Sequence, residues 1–233
     1  MWSTYPVATT KGMATAFVIV RKGGGKSGAS APVMVTAGHL LDSVGKGPLV
    51  IAVRVPGKDG GSQLAVIGLP KQHPGKLVFA RHPGEDVGAF DPSVLDNASR
   101  QVLPSFLTES SLVRDARSLH AGEEVSFLGF PDLVPGTSGG FPVVRSGKIA
   151  SYPAAQPHSG GTFLINADVY PGDSGAPVFI SRPGGKPELV GMVIERVGKS
   201  AGAFSHFAIA VDAKAIRETL ALLAEREKSA AKP

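Results

Sequence analysis

Short apolar runs separated by turn-forming segments make up most of this chain. The runs are rich in β-branched side chains, which is typical of strands, and the segments between them are rich in Gly, Pro and Ser, which is typical of turns. Residues 141–144 and 148–151 predict a hairpin around the tripeptide Arg145-Ser146-Gly147. In full, the pattern predicts strands at 13–20, 33–36, 49–55, 64–69, 77–80, 87–90, 125–129, 141–144, 148–151, 162–166, 176–180, 189–195 and 204–211.

Three stretches depart from this pattern. Residues 1–12 are short and largely polar, and predict an arm lying on the first strands. Residues 91–112 are the least regular part and predict a crossing between two halves of the chain, with a helical turn in it. After Asp212, which can cap a helix, residues 213–227 predict a C-terminal helix whose apolar face carries Ile216, Leu220 and Leu223.

The composition narrows the class of protein. A chain of 233 residues can bury a substantial core without cross-links, and its 30 Gly and 19 Pro favour strands and turns over a helical bundle. It contains no cysteine, which excludes disulfides and thiolate metal sites. It also has no H-E-x-x-H motif, so we expect neither a metal nor a cofactor.

The charge does not point to a nucleic acid. The net charge is +5, but the Lys and Arg residues are scattered, so we expect a solvated basic surface and no nucleic-acid partner. No apolar run reaches the roughly 18 residues of a membrane-spanning helix, so no membrane insertion is expected. The N-terminus shows no secretory signal, which makes the cytoplasm the expected location unless a leader has been removed. An oligomer is possible, and the sequence does not address it.

The segment 170–177, Y-P-G-D-S-G-A-P, is the first candidate for chemistry. Serine becomes a nucleophile when a base activates its hydroxyl and nearby donors stabilise the oxyanion that forms. Gly172 has no side chain, so its N–H can turn inward in a conformation that other residues resist. We therefore expect Ser174 to be the nucleophile and the N–H groups of Gly172 and Ser174 to be oxyanion donors, with Asp173 adding its own.

A base and a residue that orients it lie upstream. His39 follows the apolar run 33–36, and Asp86 lies in a turn that leads into the next run. Glu85 and Asp91 compete for the role of Asp86, and we expect Glu85 to point to the opposite side of the chain. The order His, Asp, Ser is that of chymotrypsin-type enzymes and differs from that of subtilisin and the α/β-hydrolases.

At these residues the chain resembles the trypsin-like (chymotrypsin-fold) serine proteases, in particular their cysteine-free bacterial branch. Residues 36–39, T-A-G-H, are similar to the family's T-A-x-H motif. Residues 86–89, D-V-G-A, are similar to D-[IVL]-A with Gly88 in place of alanine, and 172–175 match G-[DN]-S-G. Two further segments, 119–131 and 207–210, are similar to Deg/HtrA-type proteases.

The resemblance implies an all-β fold of two six-stranded antiparallel β-barrels of the chymotrypsin type, followed by a C-terminal α-helix. Residues 1–112 would form the barrel that carries His39 and Asp86, and residues 113–233 the barrel that carries Ser174. The implied function is that of a serine endopeptidase, with a polypeptide as substrate. The alternative is a protease fold that serves as a catalytically silent or partner-gated binding module.

The resemblance also implies a primary specificity pocket, and three interpretations of its preference stay open. Val169, Ala208 and Ile209 would form a shallow pocket for small apolar residues. Asp168 would instead select Arg or Lys, and His206 would select an acidic side chain. The sequence leaves the natural substrate unassigned as well.

Asp173 and the other histidines complete the candidates. Nothing near the N-terminus resembles an activation site, so we expect Asp173 to brace its own loop by hydrogen bonds, with a basic side chain or solvent as alternative partners. Four more histidines stand in probable turns and are expected to face water: His73, His82, His120 and His158. An α/β-hydrolase esterase is excluded because its G-x-S-x-G motif would need glycine where Ala176 stands.

Overall fold

The chain forms mostly β-structure in the computed structural model, which describes residues 3–10, 12–22, 30–42, 49–56, 62–69, 79–92, 103, 107–132, 140–154, 161–196 and 206–230. Within these ranges the strands build a sheet from the first half of the chain and a barrel from the second half. A long helix ends the described part. The all-β fold with a C-terminal helix, expected from the sequence, is confirmed.

Eight strands form the N-terminal sheet. Seven of them lie in the order β5-β4-β1-β2-β3-β7-β6, and β8 pairs with β2 in parallel. The resemblance predicts a closed six-stranded barrel here, whereas the recorded pairing in the described residues leaves β5 and β6 as the two ends of the sheet. The strands are β1 Thr4–Thr9, β2 Gly12–Arg21, β3 Ala31–Ala37, β4 Leu49–Pro56, β5 Ser62–Leu69, β6 Phe79–Arg81, β7 Val87–Phe90 and β8 Leu107–Thr108.

Six strands close into the C-terminal barrel, as predicted. Their order around the barrel is β10-β11-β14-β13-β12-β9. They are β9 Glu124–Gly129, β10 Val143–Ile149, β11 Thr162–Asn166, β12 Pro177–Ile180, β13 Glu188–Arg196 and β14 Phe207–Asp212.

Two sequence predictions about elements are wrong. The expected arm at 1–12 contains β1, which pairs with β2 and β4 and buries Tyr5 and Val7. The expected hairpin at 141–151 is the single strand β10. Its Gly147 is not a turn residue, because a Cβ there would collide with the backbone oxygen of Asn166; the glycine lets two strands approach closely.

The C-terminal helix α2, Ala213–Ala230, joins the two units, whereas α1, Gly38–Leu41, is a single turn. The helix α2 begins where predicted, because Lys214 and Ala215 donate backbone N–H groups to Asp212 Oδ1 at 3.0 and 3.1 Å. It contacts β6 and β7 of the sheet and β13 and β14 of the barrel. The predicted apolar face is buried, namely Ile216, Leu220 and Leu223. No helix of the described residues is long and apolar enough to cross a membrane.

The barrel and the sheet share one core. The larger apolar cluster fills the barrel and continues into the sheet through Phe17, Val35 and Ala89. A smaller cluster lies on the other side of the sheet and includes Tyr5 and Phe90.

Asp86 and Ser174 lie on loops, and His39 lies in the short helix α1. The loop of Ser174 contacts the N-terminal sheet through Thr15. The division of the chain at residue 112 stays a prediction.

Candidate active site

His39 and Asp86 are in direct contact. His39 stands in α1, and its backbone N–H donates to Asp86 Oδ1 at 2.7 Å. The ring Nδ1 lies 2.7 Å from Asp86 Oδ2, so the imidazole and its own backbone hold both carboxylate oxygens. Since an ionised carboxylate only accepts hydrogen bonds, Nδ1 carries the proton and the lone pair of the neutral ring is at Nε2. This is the tautomer that a general base needs.

The surroundings of Asp86 keep its carboxylate ionised. Partial burial raises its pKa, but hydrogen bonds from His39 and the charge of Arg81 outweigh burial and hold the pKa below its usual value. Arg81 Nη2 lies 3.7 Å from Asp86 Oδ1. The competitor Glu85 is different, because burial raises its pKa and the charges that act on it belong to His82, Asp212 and Glu218. Asp86, not Glu85, is the carboxylate at His39.

Gly88, the departure from the family motif, makes room for a neighbour. A Cβ at this position would lie 2.5 Å from Leu41 Cδ1. Gly88→Ala is therefore expected to destabilise the fold by about 1–3 kcal/mol, the cost of overpacking a core, in chemical denaturation. Gly68→Ala is the matched control, because nothing lies within 4 Å of a Cβ there. Equal stabilities of the two variants would contradict the packing argument.

Two glycines in the Ser174 loop adopt backbone conformations that other residues avoid. The φ angles of Gly172 and Gly175 are 96° and 92°. A Cβ on Gly172 would collide with Phe130 O, and one on Gly175 with Thr15 O. Close approach and left-handed backbone together explain why glycine stands on both sides of Asp173-Ser174.

The hydrogen bonds of this loop orient its peptide groups. Asp132 N–H donates to Pro171 O at 2.9 Å, so the next N–H, that of Gly172, points the opposite way across the planar trans peptide. Among the hydrogen bonds of the described residues, none uses the N–H of Gly172 or of Ser174. The Asp173 N–H donates to Tyr170 O at 3.0 Å. The Asp173 N–H is thus engaged in its own turn, which does not favour a third oxyanion donor at this residue. The three oxyanion donors stay predictions.

Thr15 ties the loop to the N-terminal sheet. This buried residue of β2 donates its N–H to Ser174 O at 2.8 Å and its hydroxyl to Gly172 O at 2.7 Å. Its own carbonyl accepts from the Thr36 hydroxyl at 2.8 Å. Thr36 lies three residues before His39, so the strand that delivers His39 and the loop that delivers Ser174 meet at one residue.

The carboxylate of Asp173 is buried and paired with Arg145. Arg145 Nη1 lies 2.7 Å from Asp173 Oδ2, and Nη2 contacts the other oxygen. Tyr170 N–H also donates to Oδ2 at 2.7 Å, and the guanidinium lies over the ring of Phe127 with its carbon 4.8 Å from the centroid. Asp173 thus braces its own loop through Tyr170, as expected, and also pairs with a basic side chain, which was the alternative.

Sequence reasoning missed Arg145 because it placed this residue in a turn. In the strand β10 its side chain lies on the same face as Val143 and Ile149, the inward-facing residues. A basic residue in an inward register of a barrel strand needs an acidic partner, and that periodicity is the signal that could have identified it.

The Ser174 hydroxyl donates to Ile194 O of β13 at 3.1 Å. The structure therefore brings His39 and Asp86 into contact. The hydrogen bond of the Ser174 hydroxyl goes to the main-chain carbonyl of Ile194 and not to the His39 ring.

The pocket residues fall into two groups. Val169 and Ala208 are buried, and Ile209 is partly buried. Asp168 Oδ1 lies 2.7 Å from His206 Nδ1, with both side chains more than half exposed. Selection of Arg or Lys by Asp168, or of an acidic side chain by His206, would use an unpaired charge, whereas these two side chains pair with each other. The specificity of the pocket stays a prediction.

The other histidines differ from one another. His120 is exposed, as expected, whereas His73 and His158 lie outside the described residues. The expectation that His82 faces water is wrong, since its side chain is only 12% exposed and bonded on both nitrogens. In the ranges that the structure describes, no group of three or more His, Asp or Glu residues is placed to hold a metal ion.

Comparison with known proteins points to one family. The sequence model described as the trypsin-like peptidase domain matches residues 14–192. Among curated protein sequences, none matches the chain. Of the solved structures, the thermostable serine protease AL20 from an extremophilic microorganism superimposes with a TM-score of 0.61 at 14% identity, over 96% of this chain and 97% of AL20.

Two further structures are similar in fold. An inactive-form mutant of Rv3671c from M. tuberculosis gives a TM-score of 0.54 at 18% identity, over 99% of this chain and 88% of Rv3671c. The HtrA-type protease AlgW with a decapeptide gives 0.54 at 18% identity, over 91% of this chain and 51% of AlgW. At such identities the likeness establishes the fold alone, and the chain spans about half the length of AlgW.

Proposed function

Since the chain belongs to the trypsin-like peptidase domain family, we propose that it is a serine endopeptidase with His39, Asp86 and Ser174 as its catalytic triad. The observation that carries this proposal is the double contact of His39 with Asp86, through backbone and ring, each at 2.7 Å. It fixes the imidazole in the tautomer that accepts a proton at Nε2. No finding supports the alternative of a catalytically silent or partner-gated binding module.

Catalysis proceeds through an acyl-enzyme. The Ser174 hydroxyl leaves Ile194 O, passes its proton to His39 Nε2, and its oxygen forms a bond with the carbonyl carbon of the scissile peptide. The N–H groups of Gly172 and Ser174 stabilise the resulting oxyanion, and Asp86 stabilises the imidazolium. His39 then donates its proton to the leaving amine as the C–N bond breaks. Water attacks the ester by the same route and releases the acid.

For the residue before the scissile bond, we propose a small apolar side chain. Asp168 is paired with His206 on the surface, which favours the apolar lining made of Val169, Ala208 and Ile209.

Digestion of an unfolded protein, with the new termini sequenced by mass spectrometry, tests both proposals. We expect cleavage at internal bonds after Ala, Val or similar residues, and the same profile from Asp168→Asn. The absence of internal cleavage would contradict the endopeptidase. A preference for Arg or Lys that disappears in Asp168→Asn would contradict the apolar pocket and leave the endopeptidase intact.

A further inference from the structure

We propose that His82 is a positioning residue for Asp86, and that through it the C-terminal helix α2 holds the candidate catalytic carboxylate in place. This inference rests on the proposed function only for the role of Asp86; the contacts themselves are independent of it.

His82 builds the turn that ends at Asp86. Its ring Nδ1 accepts the backbone N–H groups of Gly84 and Glu85 at 3.2 and 2.9 Å. Its own backbone N–H donates to Val87 O at 2.9 Å, which closes the turn on the far side of Asp86. The imidazole thereby does what an Asp or Asn side chain does in an Asx-turn.

The same ring reaches the helix α2. Because Nδ1 accepts two N–H groups, the neutral ring carries its proton on Nε2. That nitrogen lies 3.0 Å from Glu218 Oε2, so Nε2–H donates to the carboxylate. The His82 side chain is 12% exposed. Its Nδ1 accepts hydrogen bonds from the turn, and its Nε2–H donates one to the helix.

The helix is a firm support for this contact. Arg217 donates to the carbonyl of Val113 at 2.7 Å and to that of Arg114 at 2.9 Å. About two helical turns beyond Glu218, Arg226 donates to Phe79 O at 2.9 Å. Glu218 is thus held on a helix that is tied to the main chain at three points.

Asp86 is the residue on which this support acts. Gly84 and Glu85, whose N–H groups His82 holds, directly precede Asp86 in the chain. Gly38 N–H donates to Asp86 O at 3.1 Å, and the carboxylate makes two contacts of 2.7 Å with His39. A displacement of about 1 Å at such a group can cost about 10²-fold in rate. Loosening the turn is therefore expected to act on turnover rather than on substrate binding.

A pair of variants separates this role from simple filling of space. His82→Asn retains a neutral acceptor near the position of Nδ1, whereas His82→Leu fills the site without any acceptor. We expect His82→Leu to lower kcat for peptide hydrolysis by about 10- to 100-fold with little change in KM, and His82→Asn to recover most of that loss. Equal kcat values in the two variants, at wild-type level or equally reduced, would overturn the proposal.

The downfield proton NMR signal of His39 Nδ1–H reads the same contact without turnover. We expect the signal, assigned by its loss in His39→Ala, to persist in His82→Asn and to broaden or shift upfield in His82→Leu. If the wild type hydrolyses nothing but the signal responds in this way, the proposed function fails and the positioning role stands. A signal that is identical in all His82 variants overturns the positioning role.

Glu218→Ala provides a second test in case His82→Leu does not fold. It removes the acceptor of Nε2–H and leaves the turn's own hydrogen bonds in place. We expect a smaller loss of kcat than in His82→Leu, in the same direction. Glu225→Ala removes an acidic side chain that lines the same cavity as Glu218 but none of the hydrogen bonds of His82. It is the control and should match the wild type. A Glu218→Ala protein with the kcat of Glu225→Ala would contradict the part assigned to α2.

Discussion

Replacing Ser174 with alanine is expected to lower kcat for peptide hydrolysis by about 10⁴- to 10⁶-fold. In the proposed mechanism this hydroxyl oxygen forms the bond to the substrate carbonyl, so the variant lacks the nucleophile. The residual rate comes from the oxyanion donors and from substrate binding, which the substitution leaves intact. His39→Ala should lose a similar factor, because without a base the hydroxyl is a poor nucleophile.

The double variant provides the sharper test. Since the proposed mechanism uses Ser174 and His39 in one step, removing both should cost no more than the larger single loss. Initial rates on one peptide, chosen from the cleavage profile, measure all three variants. Ser181→Ala, an exposed serine just beyond β12, is the control and should retain the wild-type rate. Two results would contradict the proposed roles of Ser174 and His39. One is a double variant whose loss of kcat equals the two single losses combined, and the other is a Ser174→Ala protein as active as the control.

Arg145→Met is expected to destabilise the protein by about 3–5 kcal/mol, because it leaves the Asp173 carboxylate buried with its charge unpaired. Asp173 is 1% exposed and Arg145 holds both of its oxygens. Methionine keeps much of the length of the side chain, so the loss reports the charge rather than a cavity. Because Asp173 lies between Gly172 and Ser174, we also expect kcat to fall by up to about 10²-fold, as when one oxyanion donor is removed.

Two comparisons isolate the buried charge. The double variant Arg145→Met with Asp173→Asn removes both charges and should recover much of the lost stability in urea denaturation. Arg117→Met removes an arginine that is 89% exposed and pairs with Asp115 at the surface, and should leave the stability unchanged. If Arg145→Met is as stable as Arg117→Met, the ion pair does not support the loop.

The local pattern of the sequence is enough to predict most strands and the helix α2. Alternating or continuous apolar runs and the cap at Asp212 are properties of neighbouring residues, and the structure confirms them. The wrong predictions concern segments whose conformation depends on contacts with residues far away in the sequence. β1 is a strand because β2 and β4 flank it, and Gly147 lies within a strand because Asn166 approaches it closely.

The candidate site divides in the same way. The motifs identify His39 and Asp86, which the structure places in contact, although their catalytic role remains a prediction. The residues that support the Ser174 loop and the turn before Asp86 cannot be identified from the sequence, because each acts across a long stretch of chain. Arg145 reaches Asp173, Thr15 reaches Gly172 and Ser174, and His82 reaches Glu218, and no local spacing encodes these pairs.

Labelling with a serine-reactive phosphonate tests the central claim most directly. Such a reagent forms a stable adduct only where an activated serine and oxyanion donors stand together. The purified wild type and Ser174→Ala would be treated in parallel, with and without an added unfolded protein, and intact masses compared. A single adduct on the wild type and none on Ser174→Ala is the predicted result. No adduct on the wild type under either condition, or an equal adduct on both proteins, would contradict the assignment of Ser174 as an activated nucleophile.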